Sequence, residues 1–240
     1  MSTAGIILIG DEILSGKVAD ENARLLVEDL RSLGVALKKI TVIPDVLDEI
    51  AATVRNFSDT FDHVFTSGGV GPTHDDLTME GIARAFGGKV VRHPELERLL
   101  RGYYGERLNE RNLRMADVPE GAHFVDGDSA NWPVVAMKNV YILPGVPEIF
   151  RRKWMAIRDR FADAPYVLRN VFTHAEEGEI AAHLDAVVAA HPAVQVGSYP
   201  RFDTSEYRVK VTLESKQGDE VERATAQLVE LLGTRVIRVA

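Results

Sequence analysis

The chain has 240 residues, with 28 Lys and Arg against 36 Asp and Glu for a formal charge of −8. Its 45% hydrophobic and 27% charged content exclude a disordered chain or a fibre, and its length suits one large domain or a medium domain with a small one. The acidic balance argues against a nucleic-acid partner, and the absence of cysteine excludes disulfides, thiolate metal sites and cysteine nucleophiles.

The amino terminus, MSTAGIILIGDEIL, has no basic region and only a short apolar run, so neither a secretion signal nor a membrane span is expected. The reading is a cytoplasmic protein with no membrane partner. Ile6 to Ile9, closed by Gly10, reads as a buried strand. Asp20 offers an N-cap to a helix carrying Ala23, Leu26, Leu30 and Leu33, and Gly34 supplies its left-handed stop. Val35–Ile43 predicts the next strand, and Val46, Ile50, Val54 and Phe57 a helix. A strand at His63–Thr66 enters the turn SGGVGP, followed by a helix from about Asp76 to Phe86. A further helix starts at Pro94. Strands are expected at His123–Val125 and Val134–Leu143, then a helix from Pro147 with Phe150, Trp154, Ile157 and Phe161 as its core stripe. This alternation predicts an α/β fold: three layers around a mostly parallel, mixed sheet, over residues 1–163.

Beyond a linker at 162–165 the pattern changes. Strands at Val167–Thr173, Val194–Tyr199, Tyr207–Leu213 and Arg235–Val239, with helices around Ile180–Val187 and Val221–Leu232, give βαββαβ. This is a small C-terminal α+β domain over 166–240, expected to serve packing or oligomerisation.

Three strand-to-helix turns concentrate glycine and acid: Gly10-Asp11-Glu12 through Gly16, Ser67-Gly68-Gly69-Val70-Gly71-Pro72-Thr73-His74-Asp75-Asp76, and Leu143-Pro144-Gly145-Val146-Pro147-Glu148. In an open α/β sheet such turns line the crevice where ligands bind. Glycines admit close backbone approach, and amides at a helix start attract an anion. Asp75 and Asp76 would repel a bare phosphate, so a divalent cation, Mg²⁺ or similar, between them and the phosphate oxygens resolves the conflict. The alternative is that one of them caps the following helix. Thr78 is either a helix-surface residue or a hydroxyl ligand, and His74 a phosphate contact or a loop residue. Asp45, after Pro44, reads alone as the N-cap of its own helix, and Asp11 and Glu12 as ordinary turn acids. Ser15 and Ser67 lie in no GxSxG elbow. Gly10–Lys17 misses the P-loop spacing, no GxGxxG or HExxH is present, and the bases at 151–160 read as a solvated helix face.

The turns IGDEILSGKVADEN, TSGGVGPTHDDLT and LPGVPE together resemble the molybdopterin-binding fold family that includes MoaB, MogA and the first domain of CinA. The segment VQVGSYPRFDTSEYRVKVTLES is similar to the module that follows this domain in CinA and in the N-terminal half of eukaryotic FAD synthases. The resemblance implies a molybdopterin or ADP-nucleotide site along these loops. It gives Asp76 and Asp45 the positions of the acids in MogA-like adenylyltransferases. CinA-type relatives imply metal-dependent cleavage of ADP-ribose or FAD pyrophosphates. The resulting expectation is catalysis by Asp45, Asp75 and Asp76, with metal on Asp75 and Asp76. Ligand contacts are expected from Gly10, Asp11, Glu12, Ser67, Gly68, Gly69, Gly71, Pro72, Thr73, His74, Thr78, Pro144, Gly145 and Pro147. A nucleotide or pterin partner and a homo-oligomer, dimer or trimer, complete the reading, with adenylyl transfer to molybdopterin or non-catalytic binding as alternatives. CinA's deamidase domain has no counterpart in this sequence. The family's GTAPG turn is replaced by Asp128-Ser129-Ala130-Asn131-Trp132-Pro133.

Overall fold

The computed structural model describes residues 2–125, 132–202 and 206–240, so Asp128–Asn131 of the altered turn lie outside the described residues. Met1–Asp163 and Ala164–Ala240 form two compact units. In the first, the order is β1 (Thr3–Ile9), α1 (Asp11–Leu14), α2 (Asn22–Ser32), β2 (Ala36–Ile43), α3 (Leu47–Thr60), β3 (His63–Ser67) and α4 (Thr78–Ala85). It continues through β4 (Val90–Arg92), α5 (Pro94–Tyr104), α6 (Glu110–Leu113), β5 (Asp117–Pro119), β6 (His123–Val125), β7 (Val134–Met137), β8 (Val140–Leu143) and α7 (Pro147–Ile157).

Six of these strands form one sheet in the order β2-β1-β3-β8-β7-β6. The first four run parallel; β7 runs antiparallel to β8, and β6 antiparallel to β7. The central strand β1 is apolar on both faces because both are covered. Ile6 and Leu8 join Leu26, Leu30, Phe150 and Trp154 on one side. Ile7 and Ile9 join Ile50, Val54, Phe57 and Ile82 on the other. This is the expected three-layer arrangement.

The single run Val134–Leu143 is in fact a hairpin, with Lys138 in the left-handed region at φ 54°. No glycine or proline marks the turn. Asn139 fixes it instead, donating to the carbonyls of Ser58 (3.0 Å) and Phe61 (2.7 Å) at the end of α3. The bases on α7 also depart from a uniformly solvated face. Lys153 donates to the carbonyls of Trp132 (3.0 Å) and Pro133 (2.7 Å), and burial pulls its ammonium down to about 8. Arg158 pairs with Asp29 at 2.8 Å.

The second unit contains β9 (Val167–Thr173), α8 (Glu177–Ala190), β10 (Gln195–Pro200), β11 (Val209–Ser215), α9 (Gly218–Leu232) and β12 (Val236–Val239). Its antiparallel sheet has the order β10-β11-β9-β12, the split βαβ layout. Val171, Val209, Val211 and Leu213 pack against Ile180, Val187, Val221 and Leu228. Among the described residues no helix is long and apolar enough to cross a membrane.

Candidate nucleotide site at the carboxyl edge

Four adjacent parallel strands end at the same edge of the first sheet. Ile9 lies opposite Ile43, Leu8 opposite Ser67, and Ser67 opposite Leu143. Their continuations therefore stand side by side: Asp45 after β2, Gly10–Glu12 after β1, Ser67–Asp76 after β3 and Pro144–Pro147 after β8. That edge is where open α/β sheets bind ligands.

The β3 loop is fitted tightly to its neighbour. A Cβ on Gly68 would lie 2.1 Å from the Ile9 carbonyl oxygen, and its φ of +105° disfavours any side chain. A Cβ on Gly69 would lie 2.4 Å from the Thr78 hydroxyl. Thr78 is fully buried; its hydroxyl donates to the Gly68 carbonyl (2.8 Å) and its amide to that of Gly69 (3.0 Å). It is neither a surface residue nor a hydroxyl open to ligand, because its one proton is committed inside the loop.

Asp76 turns inward as well. One oxygen accepts the Gly71 amide at 2.6 Å; the other accepts the Thr73 amide at 2.7 Å and the Thr73 hydroxyl. Helix α4 begins only at Thr78, after Leu77, with no side-chain cap, so the alternative in which Asp75 or Asp76 caps it does not hold. The amide cradle also needs correction. Gly71's amide is held by Asp76, and Gly68's donates to the Leu143 carbonyl at 3.3 Å. Of the three glycine amides, only Gly69's has no acceptor among the described bonds.

Ser67 is 2% exposed, accepts from Asn22 at 2.9 Å and contacts the Pro144 carbonyl at 3.3 Å, so it is a strut between loops and not an open ligand contact. Asn22 also donates to the Gly145 carbonyl at 2.8 Å, tying the β8 loop to the β3 loop. Sequence reasoning passed over Asn22; its only signal is an amide beside the apolar stripe of α2. It also passed over Arg114, whose guanidinium donates to the Thr73 carbonyl at 3.3 Å.

The acids of the first two loops behave differently. Asp45 does not cap α3, whose N-cap is Val46. Its carboxylate instead reaches the next loop and accepts the Asp11 amide at 2.9 Å. Burial pushes the Asp45 carboxyl above its ordinary value; the Asp11 amide opposes this, and the charges of Glu12, Asp11 and Asp75 add to the rise. Asp11, Glu12 and Asp75 are exposed. His74 is exposed, with its ring 3.7 Å from Asp75. Pro72 and Pro144 are half-buried; Thr73, Gly145 and Pro147 are exposed at the same edge.

Residues 5–161 match the family described as "Probable molybdopterin binding domain". The chain belongs to this family. Residues 165–240 match "FAD synthase, middle domain". The chain is 32% identical over 263 residues to a "Probable FAD synthase" of Caenorhabditis briggsae, spanning 98% of this chain and 50% of that one. It spans about half the length of the FAD synthases it matches. A protein of Archaeoglobus fulgidus is 36% identical over 230 residues, covering 96% of this chain and 98% of its own. A crystal structure of CinA from Thermoplasma acidophilum, described as of unknown function, matches at 30% identity and a TM-score of 0.61, over 67% of this chain and 99% of that one.

In this first unit, the acids at the edge offer hard oxygen donors of the kind Mg²⁺ takes. Among the described residues, no group of three or more potential ligands is placed to hold an ion. Mg²⁺ commonly uses one or two carboxylates with substrate phosphates completing its shell. Carboxylates are the donor chemistry such a shared site uses, and Asp45 and Asp75 would be the ones to supply it. Asp76 fits poorly, since both its oxygens already accept protein donors.

Proposed function

We propose that this domain hydrolyses the pyrophosphate of an ADP-containing dinucleotide of the ADP-ribose or FAD type. The observation that carries the reading is Asp45: a partly buried carboxylate at the junction of two loops, destabilised in its charged form by burial and by three neighbouring acids. Such a group gains most from a cation arriving with phosphate. Asp45 and Asp75 would hold Mg²⁺, which when bound stabilises charge on the phosphoryl oxygens. The Gly69 amide, with no acceptor among the described bonds, would serve as a phosphate donor. Glu12 or Asp11 accepts the proton of the attacking water. The water oxygen bonds to phosphorus as the bridging P–O bond breaks, giving AMP and a second phosphate monoester, with the bridging oxygen leaving on the partner.

Adenylyl transfer is the second reading, supported by relatives named FAD synthase. Molybdopterin binding without turnover is a third, supported by the family's description. Incubating the protein with ADP-ribose, FAD or NAD and Mg²⁺ or Co²⁺ separates them. Metal-dependent AMP release is the expected result. Formation of FAD and pyrophosphate from FMN and ATP would replace hydrolysis by transfer. Thermal stabilisation by ligand with no AMP from any substrate would make the domain a binder.

A further inference from the structure

We infer that Arg114 anchors the phosphate of the bound nucleotide, an assignment resting on the reading that this edge binds a nucleotide diphosphate. The edge has a charge problem. Asp11, Glu12, Asp45 and Asp75 all contribute negative charge, and two of the β3 loop's three glycine amides are committed to acceptors within the protein. A diphosphate would therefore gain from a positive partner beyond the Gly69 amide and the cation it brings.

Arg114 meets the need by position. Its guanidinium is on the β3 loop, held by the Thr73 carbonyl, and that single bond leaves the other N–H donors of its fork available. Among the described residues no carboxylate pairs with it. Its base is fixed: neighbouring Leu113 is 5% exposed and Ala116 fully buried, and the Ala116 carbonyl accepts the His93 amide at 2.8 Å. A guanidinium restrained at both ends has less freedom to lose when it grips an anion, and its planar fork suits two phosphate oxygens at once. Arg111, on the short helix preceding it, is also exposed but has no bond to the loop among the described contacts. Lys17, on the β1 loop, likewise makes none.

The test uses the full chain and four proteins: wild type, Arg114→Gln, Arg114→Lys and Arg111→Gln. Equilibrium binding of Mg·ADP and AMP release from ADP-ribose are measured over a series of NaCl concentrations. Arg114→Gln should raise Kd and KM about ten- to a hundredfold, the scale of a charge-assisted hydrogen bond, with kcat changed far less and a flatter salt dependence. Arg114→Lys should keep the salt dependence but recover only part of the affinity, and Arg111→Gln should match wild type. Unchanged Kd and KM in Arg114→Gln would overturn the inference and leave the hydrolase reading standing. So would weaker binding with unaltered salt dependence and a lower melting temperature, the mark of a brace for Thr73. Wild-type protein that neither binds Mg·ADP nor releases AMP would overturn the functional reading, and this assignment with it.

Discussion

Two acids on loops at the same sheet edge illustrate opposite solutions to placing a carboxylate there. Asp76 accepts three donors from its own loop, so its charge is satisfied before any ligand arrives. Asp45 has one amide, partial burial and three acidic neighbours, and its charged form is disfavoured. The first arrangement makes a rigid loop. The second leaves a group whose charged form a bound cation would stabilise. On the proposed reading, chemistry at this edge falls to the frustrated acid and shape to the satisfied one.

The comparison is broken most directly by neutralising Asp45. Asp45→Asn keeps the size and the acceptor for the Asp11 amide but removes the charge. AMP release per folded molecule should fall by at least ~10²-fold, the scale of losing one key electrostatic contact. Steady-state assays on protein of verified fold check this.

Gly68→Ala attacks the shaped loop instead. The new methyl would sit on the Ile9 carbonyl in a left-handed backbone, so stability should fall by about 2–4 kcal/mol, as for other strained or overpacked sites. Urea unfolding measures it.

A smaller effect is expected at Asp76. Asp76→Asn replaces one accepting oxygen with an amide that faces donors, which should cost about 1–3 kcal/mol. Any loss of turnover should track loop integrity, read by protection of the Gly71 and Thr73 amides against exchange. Full protection with a turnover loss as large as that of Asp45→Asn would make Asp76 a chemical participant.

The mildest prediction concerns pH. A carboxyl raised in the folded state binds protons there that the unfolded chain has released, so Asp45 costs stability as pH rises through its folded value. Asp45→Asn should therefore melt higher than wild type near neutral pH. That advantage should shrink as pH falls toward and below the ordinary value of 3.8. Melting curves across that range check the sign.

Much of the fold was legible because short β-branched runs separated by glycine stops leave few alternatives; β1, β3 and β9 lie close to where their apolar runs place them. The hairpin at Lys138-Asn139 was not legible, since its turn is held by a distant helix end and not by local turn chemistry. The site shows the same division. Glycine-rich turns identified the loops, because their backbone demands are local. The direction in which Asp76, Thr78 and Ser67 point is set by partners brought together only by folding, and Asp45 reads as a cap until Asp11 is placed beside it. Arg114 carries no local signal at all, because its partner Thr73 is 41 positions away.

Titration of Mg²⁺ and ADP, separately and together, into wild type and Asp45→Asn tests the central claim that Asp45 completes a site only when phosphate is present. Wild type should bind Mg²⁺ weakly alone and much more tightly with ADP, and Asp45→Asn should lose that cooperation. Tight Mg²⁺ binding without nucleotide, or cooperation that survives Asp45→Asn, would contradict the account.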